Sequence, residues 1–286
     1  MQTKSLPKFQ GKPLVEVPKA IPQVDFLRGD LGREVDQEVR SRHPNLPNIS
    51  NINYQNEVIQ GSNPFYVVAV NEVLRQEGLR TATQANLEKT LKLGVLDLKG
   101  HYEDSSLVLR SEADSYQPND HLSRSLHKQV KARNAKIEYP VIIPLNGLEL
   151  QADQDSSYGL SFRLREDAEV IYAQILVKDG SFRSEDINEE TGLPRKLESD
   201  GNRHLYTRQD GLSGLFLSRN LDLYSYRYLL DVSDSDGRVV VVSDAVAPKN
   251  FDYQKAQTEI TREYETQLNE LNQRKEKALQ ILKGKQ

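Results

Sequence analysis

The sequence predicts an α+β protein: a helical N-terminal half, an antiparallel β-sheet or sandwich after it, a long C-terminal helix and an extended Pro-rich N-terminal arm. Three observations carry this prediction. Six of the twelve prolines (Pro7, Pro13, Pro18, Pro22, Pro44 and Pro47) crowd into the first fifty residues. Apolar residues then recur at helical spacing up to about residue 136 and alternate with polar ones after it. The last stretch returns to a helical stripe. The resulting division is an arm over residues 1–60 with a short helix inside it, an α+β domain over 61–248, and a helix over 249–286. Within the domain, 61–136 reads as helical and 137–248 as mainly β.

Each element has its own reason. Residues 1–23 carry Lys4, Lys8, Lys12 and Lys19 against Glu16, and their prolines each lack a backbone donor, so this stretch reads as extended. Asp30 reads as the N-cap of a short helix with Leu31, Val35 and Val39 on one side. Asn63-Pro64 opens a helix that is apolar on most of its circumference, ended by Gly78. Thr81 and Gln84 are spaced as a capping box for a second helix through Lys92, closed by Gly94. The pair also fits a helix-turn-helix with Gln84, Asn86, Lys89 and Lys92 outward, but an apolar first helix favours an αα-hairpin packed on a sheet.

Strands are expected at 95–99 and 106–110, followed by a helix from Pro118 to about Arg133. That helix has Leu122, Leu126 and Val130 on one face and the basic residues Arg124, Lys128 and Lys131 nearly opposite. Strands at 148–150, 160–164 and 169–177 follow, and 180–203 reads as a surface excursion. Asp236-Gly237 between apolar runs at 226–232 and 239–242 reads as a hairpin turn. Tyr224, Tyr226 and Tyr228 then fall on one face of a strand, as a packing ladder more than a stacking surface for bases or sugars. In the C-terminal helix Ile260, Tyr264, Leu268, Leu271, Leu279 and Leu282 share one side, interrupted by Lys275. Steps of eleven residues suit a nearly straight helix, and a narrow stripe close to a chain end suits outreach to another surface.

Composition limits the function. Lys+Arg number 38 and Asp+Glu 42, a formal net charge of −4, which argues against a protein that binds chiefly by blanketing phosphates. The charge is uneven: residues 150–247 hold 11 Lys/Arg against 18 Asp/Glu, a local balance of −7. The absence of cysteine excludes disulfides, thiolate metal sites and cysteine nucleophiles. No apolar run approaches the length of a membrane-spanning helix, so a cytoplasmic protein with no membrane partner is expected.

No catalytic set emerges, and no cofactor or metal is expected. Asp234-Ser235-Asp236-Gly237 has the wrong residues around it for an EF-hand, and there is no phosphate-cradling glycine loop. The expected function is therefore a non-enzymatic protein–protein interaction or assembly protein. It uses the N-terminal arm and the C-terminal helix, through Ile260, Tyr264, Leu268, Leu271, Leu279 and Leu282, to bind a protein partner or a second copy of itself. Two alternatives stand beside it. One is a metal-dependent hydrolase built on His101, Glu103, Asp104 and His204. The other is nucleic-acid binding through Arg124, Lys128 and Lys131.

Overall fold

In the computed structural model, which describes residues 24–243 together with Arg262 and Lys275, the chain opens on a strand. This is β1 (Val24–Phe26), and α1 (Gly29–Arg42) follows it. A tight hairpin of β2 (Asn53–Gln55) and β3 (Val58–Gln60) comes next, turned by Asn56 and Glu57 with φ of 50° and 61°. From Val24 onward the expected arm is therefore not an arm. Leu27, Val35, Val39, Leu46, Ile52 and Ile59 are buried in the same cluster as the next helix. Pro44 and Pro47 only punctuate the loop after α1, where a fixed φ costs nothing. Asp30 does not cap α1 either. It lies inside the first turn, where its carboxylate meets Arg33 and the positive end of the helix.

The next helix, α2 (Pro64–Leu74), starts as its sequence dictates: the Asn63 side chain accepts from the Tyr66 N–H at 2.9 Å, and Pro64 occupies the first turn. A short strand, β4 (Leu79–Thr81), then precedes α3 (Gln84–Leu93). Because that strand takes Thr81, the capping box shifts by two residues to Thr83 and Asn86. Gln84 is buried and bonds Glu88 and Ser105 instead. With Gln84 inside and Asn86 occupied by the cap, the helix-turn-helix face does not exist.

Residues 95–99 turn rather than extend, and β5 (Tyr102–Leu109) begins earlier than its apolar run implies. All eight of its residues are buried, polar ones included. Then come α4 (Gln117–Arg133), β6 (Val141–Pro144), β7 (Leu148–Ala152), β8 (Leu160–Leu164), β9 (Ile171–Tyr172) and β10 (Gly180–Phe182). The chain ends its described course with β11 (Arg203–Tyr206), β12 (Leu212–Leu217), β13 (Leu223–Tyr224), β14 (Gly237–Arg238) and β15 (Val240–Ser243).

The largest sheet runs β10-β11-β13-β12-β5-β6-β9, with β14 added beside β5. It is mixed, not antiparallel, because β11 pairs β13 and β14 pairs β5 in parallel. A smaller antiparallel sheet, β1-β15-β4, places β15 in the middle, and β7 and β8 form a hairpin of their own. Helices and strands in several sheets make the fold α+β. The Asp236-Gly237 hairpin does not form: 226–232 contains no strand, and β15 pairs with β1 and β4. Gly237 is needed for a different reason. A Cβ there would lie 2.7 Å from the Ser62 nitrogen and from the Tyr102 hydroxyl.

Two cores form on the two sides of β5. Leu107 and Leu109 face one with α2 and α4, while Val108 faces the other with Leu87, Leu205, Leu217 and Val242. In the second core α3 is tied to β11 by a buried, bidentate ion pair, with Arg203 donating to both Glu88 oxygens at 2.6 and 2.7 Å. No helix among the described residues is long and apolar enough to cross a membrane. Of the expected C-terminal helix only Arg262 and Lys275 are described, both helical and exposed. Its stripe residues, and residues 1–23 of the arm, lie outside the described residues.

The Glu88–Arg203 pair generates a test. Glu88→Ala leaves a buried guanidinium without its carboxylate and should cost about 3–5 kcal/mol in urea unfolding. Replacing both, as Glu88→Leu with Arg203→Met, should cost clearly less, because no buried charge is then orphaned. A double variant as unstable as Glu88→Ala would show that packing, not charge, dominates there.

Candidate functional site

The site begins with an irregularity in the sheet. Leu215 faces Ser106 but Phe216 faces Asp104, so Ser105 has no residue opposite it. Such a β-bulge re-aims the side chains beyond it. Past the bulge a row forms across four strands in strict register: Asp104 on β5, Phe216 on β12, Tyr224 on β13 and Tyr206 on β11. Tyr102 lies two residues from Asp104 and therefore on the same face.

The rings of this row touch. Tyr102 and Phe216 meet edge to face at 5.8 Å, Phe216 and Tyr224 stack at 5.2 Å, and Tyr224 and Tyr206 lie tilted at 4.6 Å. Arg227 lays its guanidinium over the inner two, 4.3 Å from the Phe216 ring centre and 5.0 Å from that of Tyr102. At the outer end Tyr226 stands at 77° to Tyr206 and 51° to Tyr224, so the three tyrosines form a floor and a wall. Tyr226 is 44% exposed, and His204 stacks on Tyr206 at 5.7 Å.

A buried arginine fixes the backbone that presents these rings. Arg110, at the end of β5, donates to Ser213 Oγ at 2.8 Å, Thr207 Oγ1 at 2.5 Å, and both the carbonyl and Oγ of Ser225 at 2.9 Å. Thr207 follows Tyr206, and Ser225 separates Tyr224 from Tyr226. One guanidinium thus holds both tyrosine-bearing segments through neutral oxygens. Burial without a contacting carboxylate pushes its pKa down to about 9, with the neighbouring Arg208 adding to the shift.

At the inner end sit two adjacent buried carboxyls on opposite faces of β5. Asp104 accepts from the Ser62 hydroxyl at 2.7 Å through one oxygen, and its other oxygen is buried without a hydrogen-bond partner. Neither oxygen of Glu103 has a hydrogen-bond partner among the described residues, and the residue is 2% exposed. Burial, reinforced by the neighbouring Asp104, pushes the Glu103 carboxyl up to about 9, so it is protonated at neutral pH. Asp104 is also pushed up by burial, with Arg227 and Ser62 pulling the other way. His101 shares the face of Glu103, and burial followed by the charge of Arg238 pushes its pKa down.

These positions separate the residues grouped for a metal-dependent hydrolase. His204 is on β11, three strands from β5, and bonds Ser181. Strands lie about 4.8 Å apart, so it stands roughly 14 Å from the acids. Asp104 also faces away from His101 and Glu103. No group of three His, Asp or Glu side chains among the described residues is placed to hold a metal ion. On α4 the basic stripe stays on one surface, but Arg124 is paired with Asp120 at 2.6 Å and Lys131 sits over the Tyr139 ring at 5.5 Å. Lys128 is exposed and makes no ion pair among the described residues. The tyrosine ladder divides: Tyr224 and Tyr226 join the row, while Tyr228 turns to Tyr116 at 4.7 Å beneath Arg208.

Tyr206, Arg110 and Arg227 were not legible as site residues. The partners that place them in the site are 11 to 125 residues away along the chain, and only the alternation His204-Leu205-Tyr206 hints at a strand presenting a ring. Comparison of the chain with protein-family models, curated proteins and solved structures finds no match.

Glu103 predicts a pH dependence with a defined sign. Its native pKa lies above the ordinary value of 4.5, so its contribution to stability is complete below that value and is lost as pH rises towards about 9. Glu103→Gln should therefore be more stable than the wild type at pH 8, and the difference should shrink towards pH 5. Urea midpoints at pH 5, 7 and 9 read this directly; parallel wild-type and variant curves would contradict it.

Proposed function

We propose that this chain is a non-enzymatic protein-interaction or assembly module that presents its two terminal segments together as contacts for a protein partner or a second copy of itself. The observation that supports this reading is the pairing of β1 with β15, in which Val24 faces Val242. The first described residue of the chain and the last of its continuous course thus lie on neighbouring strands, at the same end of one antiparallel pair. The described course of the chain therefore begins and ends at neighbouring points, Val24 and Ser243. In sequence, residues 1–23 carry the lysines and prolines of the arm and residues 244–286 the stripe Ile260, Tyr264, Leu268, Leu271, Leu279 and Leu282.

The body itself favours binding over catalysis. Its buried acids face in opposite directions, and its most accessible unusual feature is a surface of rings. Burying each apolar side chain of the terminal stripe contributes on the order of 1.5–3 kcal/mol before the costs of association. Several such residues along the stripe that the sequence predicts are enough to drive a contact. Lys275 within the stripe disfavours a tight two-stranded seam and favours a looser or heterologous one.

The test is a full-length variant carrying Leu268→Asp and Leu271→Asp. It should lose association, read by sedimentation and by recovery of partners on an affinity column, while its thermal unfolding remains that of the wild type. Undiminished association would remove the terminal helix from the contact.

A further inference from the structure

The row of rings ends in a position that the described residues leave open. Elsewhere along these rings, at buried Phe216 and Tyr102 and at exposed Tyr228, a cation of the same chain lies over them. Arg227 covers Phe216 and Tyr102, and Arg208 covers Tyr228 at 5.7 Å. Tyr206, Tyr224 and Tyr226 continue the same surface, yet no described arginine or lysine stands over any of them. None of their three hydroxyls makes a hydrogen bond to a described residue either. The corner is preformed: Arg110 holds Thr207 and Ser225 from behind, and Ser225 donates its N–H to the Tyr206 carbonyl at 2.7 Å.

The electrostatics of this corner have one sign. The faces of three phenol rings are electron-rich and attract a cation within about 6 Å. Asp222 flanks them, accepting the His204 N–H at 2.7 Å, and its charge reaches Tyr224. Arg219 also reaches Tyr224 electrostatically, but covers no ring of the corner. The surrounding stretch of sequence, 150–247, has seven more acidic than basic residues. A phosphate-bearing ligand meets like charge there. A planar guanidinium matches the corner best, since it stacks on one ring while its edge donates to a carboxylate or a phenol.

We infer that the Tyr206–Tyr224–Tyr226 corner, with Asp222 beside it, receives an arginine side chain from a basic segment of a partner protein. This rests on the reading of the chain as an interaction module and specifies the chemistry of one contact on its folded body. The corner is built from residues other than those of the terminal stripe. A loss at one therefore leaves the other intact, and the two readings fail separately.

The probe is a peptide of three Arg-Gly-Gly repeats, titrated into the full-length protein and followed by tyrosine emission, which no tryptophan obscures. A control peptide has glutamine in place of each arginine. The wild type should bind the arginine peptide and not the control. Tyr226→Ala, at an exposed position, should weaken binding about fivefold to tenfold with unchanged thermal unfolding, and Tyr226→Phe should restore it. Asp222→Asn should weaken it a few-fold and flatten its salt dependence. Leu268→Asp with Leu271→Asp should leave peptide binding unaltered. Equal binding by Tyr226→Ala, equal binding of the glutamine peptide, or no binding of the arginine peptide at millimolar concentration would each overturn the inference. So would preferential binding of oligothymidylate or maltohexaose at the same tyrosines, which would assign the corner to a base or a sugar.

Discussion

The structure depends on β5 being buried along its whole length. A strand inside a sheet has every backbone group paired and both faces covered, so its side chains decide what the layers on either side must be. Here β5 pairs with β12 on one edge and β6 on the other. Its C-terminal half supplies Leu107 and Leu109 to one core and Val108 to the other. Its N-terminal half carries Tyr102, Glu103, Asp104 and two serines, all of them buried. The bulge at Ser105 lies within this polar half. One half of the strand holds the fold together by apolar contact, while the other imposes polar groups on a buried place.

That division explains the neighbourhood of the row. A carboxyl inside a sheet needs protons or donors around it, and this sheet supplies both in part. Ser62 serves Asp104, Tyr102 donates to the Ser62 carbonyl at 2.7 Å, and Arg227 brings a charge over the rings. Gly61 and Gly237 permit the close approach: a Cβ on either would come within 2.7 Å of Ser233 Oγ or of Ser62 and Tyr102. The region where the fold stores its unpaired polar atoms thus adjoins the region where it presents its rings. Arg110 repeats the pattern at the other end of β5, as a buried cation held by three hydroxyls and one carbonyl instead of an acid.

Much of the fold was legible because it follows from local chemistry. Asn63 and Pro64 start α2, Gly78 and Gly94 adopt left-handed conformations after their helices, and the stripe Leu122, Leu126 and Val130 is the buried face of α4. What escaped was set by distant partners. Thr81 looks like a cap, but becomes a strand residue because Asn71 and β15 both bond it. Gly237 looks like a turn, but is required by crowding from Ser62 and Tyr102. Val35 and Val39 were read correctly as a helix face, yet the prolines around them suggested an arm, because proline marks where regular structure stops and not whether the chain is packed. The site was legible only in fragments. Tyr224 and Tyr226 stood out by spacing, whereas Tyr206 joined them through a parallel pairing that no local pattern encodes.

The pairing of Val24 with Val242 has a mechanical side. Two strands gripped at the same end of an antiparallel ladder part like a zipper, one hydrogen-bonded pair at a time, whereas strands gripped at opposite ends must break all their pairs at once. Tension applied between the two terminal segments would therefore enter the body at Val24 and Ser243 and open the β1–β15 seam pair by pair. Peeling β1 away would leave β15 attached to β4, and through it to α2 and the first core. A load shared by the two segments would thus be met first at one short seam, before the pairs that β5 makes with β12 and β6 bear it.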